Sequence, residues 1–530
     1  MEDPPVHKHP TTQRPVTTVS IGLIAFIMIT SAVLLSIRTF PAESLLGWQS
    51  VSFNVAAIIM YLVPAAFVAA ELASGWPGEG GVYEWVKDAF SERFGFVAIW
   101  IQWFQMTIGF ISILAFIAAA IAYLFDPSLA TSKLFVFLIV VVVWWGATLA
   151  NLRGLKVYER LTVTFAAVGT YLPFLILVIG AAIYLGTGHH PQIPLTPPSL
   201  HAMLPNFSSA NNLVLLVTFV FFYIGIEVSA AHVNNMKRPK RDYPLAILII
   251  SVVMAVISIS GALIVAWLVP VKSVSLNGGI MQAFSVVFGS HLAWLVKVMG
   301  LLIVVGAVGE VIAWALGPVR GLSVTAHHGS LPPILQKTNK AGMPTGLLVA
   351  QAILVTFWGV VFLLWPGNVN SSFWALFALT TTVYIVMYFL MYAAAIKLRY
   401  SQPDTERKFK VPGGKAGIWI VSGWGIIAMI FVFLIALLPP SQVKENPVPF
   451  EIFMIGGTAL VTAVPLIIYR FRKPSWMPAE GPDDGTASPV LAGGAVIGPS
   501  RPFTRPIKPL ERPADPAVIE PEPEPVTQGV

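Results

Sequence analysis

The chain has 530 residues, 56% hydrophobic and 11% charged, with a mean hydropathy of +0.77. Soluble domains carry roughly 25% charged residues, so too little polar surface is available for a water-soluble body and the composition is that of an integral membrane protein. The absence of cysteine excludes disulfides, thiolate catalysis and Cys-ligated metal centres.

The nine histidines include no H-E-x-x-H pair, and no GxxxxGK[ST] loop is present. No metal site, cofactor or ATP-driven step is therefore expected. A net charge of +7 suggests nucleic acid only where basic residues share a soluble face. Here they do not.

Residues 1–16 are polar, with proline and histidine, and are expected to be a disordered cytoplasmic N-terminus. Apolar runs long enough to cross a bilayer core of roughly 30 Å then recur. They lie near 18–40, 50–74, 94–125, 134–150, 160–186, 211–232, 244–270, 287–320, 346–365, 372–398, 416–438 and 449–470. The reading is an all-α integral membrane protein with twelve transmembrane helices, its transporter domain covering 17–473. Residues 474–530, rich in proline and glutamate, read as a disordered cytoplasmic tail.

Lysine and arginine placement tests the count. With both termini inside, cytoplasmic segments hold 27 of the 32 basic residues, leaving Arg38, Lys133, Lys272, Lys297 and Lys444. A missed span would invert every later loop and destroy this asymmetry. The positive charge thus fixes orientation and faces the lipid bilayer's anionic headgroups; no nucleic-acid partner is expected.

Ionisable residues inside a bilayer are costly and mark functional candidates. They are Arg38 at the outer end of the first span, Glu71 at the inner end of the second, Glu227 and Glu310. Glu71 reads as structural. Glu227 sits mid-span in Tyr223-Ile224-Gly225-Ile226-Glu227-Val228-Ser229, where glycine and polar groups permit a broken helix. Such a break offers carbonyls from one half and N–H groups from the other. Thr30-Ser31-Ala32 interrupts the first span more weakly, and small residues there also suit ordinary helix packing. Interruptions at spans one and six fit two inverted five-helix repeats followed by two extra C-terminal helices. Glu310 and Trp314, four apart, share a helix face.

Four motifs then carry a resemblance. FYIGIEVSAAHVNNMKRPKRDYPLAI (222–247), ELASGWPGEGGVYEW (71–85), GEVIAWALGPVRG (309–321) and RKFKVPGG (407–414) resemble the amino acid–polyamine–organocation (APC) permeases. Within that superfamily the likeness is to the bacterial glutamate/GABA antiporters, over about residues 17–473. The resemblance implies a LeuT-like inverted-repeat core in a bacterial inner membrane. It also implies a secondary transporter that exchanges an amino acid substrate for a counter-substrate by alternating access, with protons as a further partner.

The substrate carboxylate would meet N–H groups near Thr30, Ser31 and Ala32, and its ammonium the carbonyls around Tyr223, Ile224 and Gly225. Glu227 would stand beside the site as a gate or proton-sensitive group. Glu310 and Trp314 would line the path, joined by Gln105 and Tyr384. Two departures stand out. Arg38 replaces a tyrosine near the outer gate, where it would attract an anionic substrate, pair with Glu43 or snorkel. Val163 stands where many relatives carry a lysine. An amino acid sensor with a permease fold, a membrane enzyme and a passive channel are the alternatives in other classes.

Overall fold

The computed structural model describes residues 36–78, 80–153, 167–205, 210–230, 236–439 and 447–477, with residues 22–24, 26, 27 and 30. Val163 and both chain ends lie outside the described residues. A backbone crossing hydrocarbon must satisfy its polar groups within itself, and the described elements are all helical.

The end of the first span is extended at Ser36, makes a 3-10 turn at Ile37–Thr39 and resumes as α1 (Phe40–Ser44). Next come α2 (Gly47–Gly75), α3 (Val82–Ala89), α4 (Glu92–Phe125), α5 (Lys133–Leu152) and α6 (Val168–Gly186). The sixth apolar run divides into α7 (Leu216–Phe222) and α8 (Ile226–Ala230). Beyond it are α9 (Pro239–Leu268), α10 (Gly279–Phe288), α11 (Ala293–Thr325) and α12 (Thr345–Leu364). The last three are α13 (Val369–Ser401), α14 (Gly414–Ala436) and α15 (Pro447–Arg470).

Ten of these helices, among the described residues, are long and apolar enough to cross a membrane. They coincide with ten of the twelve expected spans. Of the other two, the first lies partly outside the described residues and the sixth is interrupted.

Burial sorts the helices into centre and periphery. Across their apolar windows α4 is 78% and α13 is 83% buried, against 22% for α6 and α15. α4 therefore forms the axis, packed along α11 and α13, while α6 and α15 present leucine, isoleucine and valine outward.

Polar side chains lock this centre. Trp103 on α4 donates its indole N–H to Gln351 on α12 at 2.7 Å, and Gln351 donates to the Ala315 carbonyl on α11 at 3.2 Å. The approach to α6 is closer still. A Cβ on Gly169 would lie 2.2 Å from the Gly306 Cα on α11, so the two backbones meet where neither residue has a side chain.

Glu71 anchors the C-terminal end of α2. Its carboxylate pairs with Arg399 at the end of α13, stands 3.5 Å from the Arg407 Nε and accepts the Val411 N–H at 2.8 Å. A carboxylate so deeply buried needs this number of donors to offset its desolvation. The loop between α13 and α14 is thereby fastened to α2, in line with the structural role read for Glu71.

Candidate functional site

The break in the sixth span has a local cause. Tyr223, Ile224 and Gly225 leave the helix, and Gly225 adopts φ +105°, a conformation that side-chain-bearing residues disfavour. Backbone groups at the facing helix ends lose their helical partners in the middle of the protein.

Beside the break lies a cavity of about 40 Å3, room for a few waters but not an amino acid. Ser36, Arg38 and Thr39 border it from the first span, Gln105, Met106 and Gly109 from α4. Phe221, Phe222 and Ile224 border it from the break, and Glu310 and Trp314 from α11.

An ion pair between Arg38 and Glu310 spans this cavity. Arg38 also donates to the Ser36 hydroxyl at 2.7 Å, and its guanidinium carbon lies 5.5 Å from the centre of the Phe221 ring. Its Nε has no hydrogen-bond partner among the described residues. One cation and one anion thus share a small, partly enclosed space. Arg38 supplies donors suited to a carboxylate, and Glu310 supplies an acceptor suited to an ammonium.

The expected site residues separate into two groups. Arg38, Gln105, Ile224, Glu310 and Trp314 meet on the cavity. Glu227 and Tyr384 meet elsewhere, in a buried nest where the carboxylate accepts hydrogen bonds from Tyr384 and from Tyr388 at 2.7 Å. Gln102 approaches it at 3.4 Å, and Tyr61 hydrogen-bonds to Tyr388. Donors from α4 and α13 therefore hold the first turn of α8, with α2 behind them.

Tyr223 turns its hydroxyl away from the cavity, donating to Asn54 on α2 at 2.9 Å. Gly225 contributes backbone alone. Thr30 is buried but does not border the cavity, and Ser31 and Ala32 lie outside the described residues.

Arg38 differs from expectation in its setting. Instead of standing at the outer end of a span it faces Gln105 and Glu310, both in the middle third of their helices. The sequence offered Glu43 as its partner. Glu43 instead accepts a hydrogen bond from Ser258 on α9 at 2.5 Å and is fully buried. The reason is that Ile37–Ser44 runs on as one helical stretch, so Arg38 and Glu43, five positions apart, point to different faces, Arg38 toward α11 and Glu43 toward α9.

Gln102, Tyr61 and Tyr388 were not singled out from the sequence. A usable signal was present for Tyr388, since Tyr384, Tyr388 and Tyr392 repeat every four residues along one helix face.

A multi-span helical protein with a charged cavity buried at an interrupted helix has the build of a membrane permease. The chain matches the amino acid permease family over residues 21–461 and belongs to it. It is 34% identical to a glutamate/gamma-aminobutyrate antiporter of Lactococcus lactis over 459 residues, covering 85% of this chain and 90% of the relative. It is 35% identical to an uncharacterized transporter of Legionella pneumophila, covering 85% of this chain and 96% of the relative. A probable agmatine/putrescine antiporter of Lactococcus lactis is 25% identical over 416 residues, or 78% of this chain and 87% of the relative.

Proposed function

We propose that this amino acid permease is an antiporter of a bacterial inner membrane that exchanges one amino acid for another by alternating access. The observation that carries the reading is the small cavity bridged by Arg38 and Glu310. A zwitterionic substrate presents the same two charges, so on entering it competes with the pair and opens it as a gate. Glutamate and gamma-aminobutyrate, named for the Lactococcus relative, are the first substrates to try.

In this reading twelve spans, with both termini cytoplasmic, form two inverted five-helix repeats and two further helices. Helices one and six rock against the frame of α4 and α11. N–H groups near Thr30, Ser31 and Ala32 take the substrate carboxylate, and carbonyls around Tyr223, Ile224 and Gly225 take its ammonium. Arg38 and Glu310 form the gate, with Gln105 and Trp314 on the path. Glu227 and Tyr384 secure the first turn of α8, where protonation of the carboxylate would loosen the nest and bias one state. Residues 1–16 remain outside the transporter domain, and the tail begins later than the expected 474, because Pro474–Trp476 form a 3-10 turn whose Trp476 carbonyl accepts from Gln336 at 2.7 Å.

The test is uptake of labelled amino acids into proteoliposomes with and without internal unlabelled amino acid. Exchange predicts uptake that depends on internal substrate. Binding without flux would instead fit a sensor, and flux independent of internal substrate would remove antiport.

A further inference from the structure

Away from the cavity, the segment leading into α9 faces the α13–α14 loop across an open cleft of about 1160 Å3. Lys237, Arg238, Lys240 and Arg241 line one wall, Lys408 and Lys410 the other, and all six are exposed. The acidic residues on the lining are Asp404 and Glu406, so the cleft is strongly positive. Arg407 at its back is already engaged, by Glu71 and by the carbonyls of Leu398 at 3.1 Å and Gln402 at 2.9 Å.

Lys237, Arg238, Lys240, Arg241 and Lys410 form no ion pair among the described residues. α9 starts inside the cleft at Pro239, and the N-terminus of this long helix adds its own positive end. Outward along α9 runs an exposed apolar stripe, Leu245, Leu248, Val252 and Val256, at the spacing of one helix face. A basic pocket continuous with an apolar, bilayer-facing stripe matches a molecule with an anionic head and hydrocarbon tails.

We infer that this cleft binds the headgroup of an anionic phospholipid, with its acyl chains along the Leu245–Leu248–Val252 face of α9. A free phosphate would use the charges alone, whereas a phospholipid gains from both the charges and the adjoining stripe. The same holds for the acidic run Glu520-Pro521-Glu522-Pro523-Glu524-Pro525 of the chain's own C-terminus. The bound headgroup bridges the segment that follows the interrupted helix to a loop that Glu71 fastens to α2. The inference is independent of which amino acid is carried.

The test is native mass spectrometry of the full-length protein from mixed phosphatidylglycerol and phosphatidylcholine micelles. The variants are the triple Lys237→Gln, Lys240→Gln, Arg241→Gln and, on the opposite wall, Lys410→Gln. Each charge removed is expected to weaken phosphatidylglycerol retention about fivefold, and three on the order of 100-fold, with phosphatidylcholine retention unchanged. The control pair Lys337→Gln, Lys340→Gln, on exposed positions of another loop, should retain phosphatidylglycerol as the wild type does. Thermal unfolding in detergent verifies that the variants fold.

Equal retention in wild type and cleft variants would overturn the inference, as would an equal loss in the control. Displacement of phosphatidylglycerol by inorganic phosphate would reassign the cleft to a soluble anion. A zero-length crosslink from Lys237 or Lys240 to the glutamates at 520–524, formed in phosphatidylglycerol membranes, would give the cleft to the C-terminus.

Discussion

Replacing Arg38 with methionine removes the charge that holds Glu310 while keeping a side chain of similar length. The two side chains are 11% and 24% exposed, so water screens the pair in part. A hydrogen bond to a charged group contributes about 1.5–3 kcal/mol, and this partial exposure reduces it to about 1–2 kcal/mol. Loss of that amount shifts a closed–open equilibrium by roughly 5- to 30-fold. The absence of native cysteine makes the assay clean: Met106→Cys, on the cavity wall, becomes the sole thiol. Its labelling rate by a membrane-impermeant reagent should rise by that factor in Arg38→Met, and return toward wild type in the charge-swapped pair Arg38→Glu, Glu310→Arg. An unchanged labelling rate in Arg38→Met would refute the view that the ion pair closes the cavity.

Other substitutions probe separate parts of the account. Glu71→Gln leaves Arg399 and Arg407 buried without a counter-charge, and should cost about 3–5 kcal/mol of stability, read as a lower melting temperature in detergent; unchanged melting would show that the α2 anchor is dispensable. Glu227→Gln keeps the shape of the nest but cannot titrate. It should fold normally and alter the pH profile of exchange, and an identical profile from acid to neutral pH would discard the proton-sensitive role. Gly306→Val drives a side chain into the Gly169 backbone, within 2.7 Å of its carbonyl oxygen, and should lower the yield of folded protein, whereas Gly456→Ala, with open space around its Cβ, should not.

Much of the fold was legible because hydrocarbon imposes a simple rule: an apolar stretch of sufficient length becomes a helix. Glycine beside Glu227 marked the interruption of the sixth span for a similar local reason, since Gly225 takes a positive φ. Partnerships were less legible. Arg399 and Arg407 contributed to the cytoplasmic charge count, but their attachment to Glu71 joins positions more than 300 residues apart, and no spacing rule connects them. Arg38 was recognised as unusual, yet its partner Glu310 lies on a helix 272 residues further along the chain. Glu227 was assigned to the substrate's neighbourhood, and its nest of Tyr384, Tyr388 and Gln102 emerges only when α4 and α13 are packed against α8.

The central claim, that amino acids are exchanged through the Arg38–Glu310 cavity, is tested most directly by labelled-glutamate counterflow in proteoliposomes. Wild type should be run beside Gly109→Val. Gly109 borders the cavity, and a Cβ there would sit 3.2 Å from the Thr380 methyl, so valine overpacks the α4–α13 contact behind the cavity, at about 1–3 kcal/mol, and displaces the α4 wall on which the substrate must sit. The account predicts uptake that rises with internal substrate in wild type and is lost in a folded Gly109→Val protein. Equal counterflow in the two proteins would contradict it.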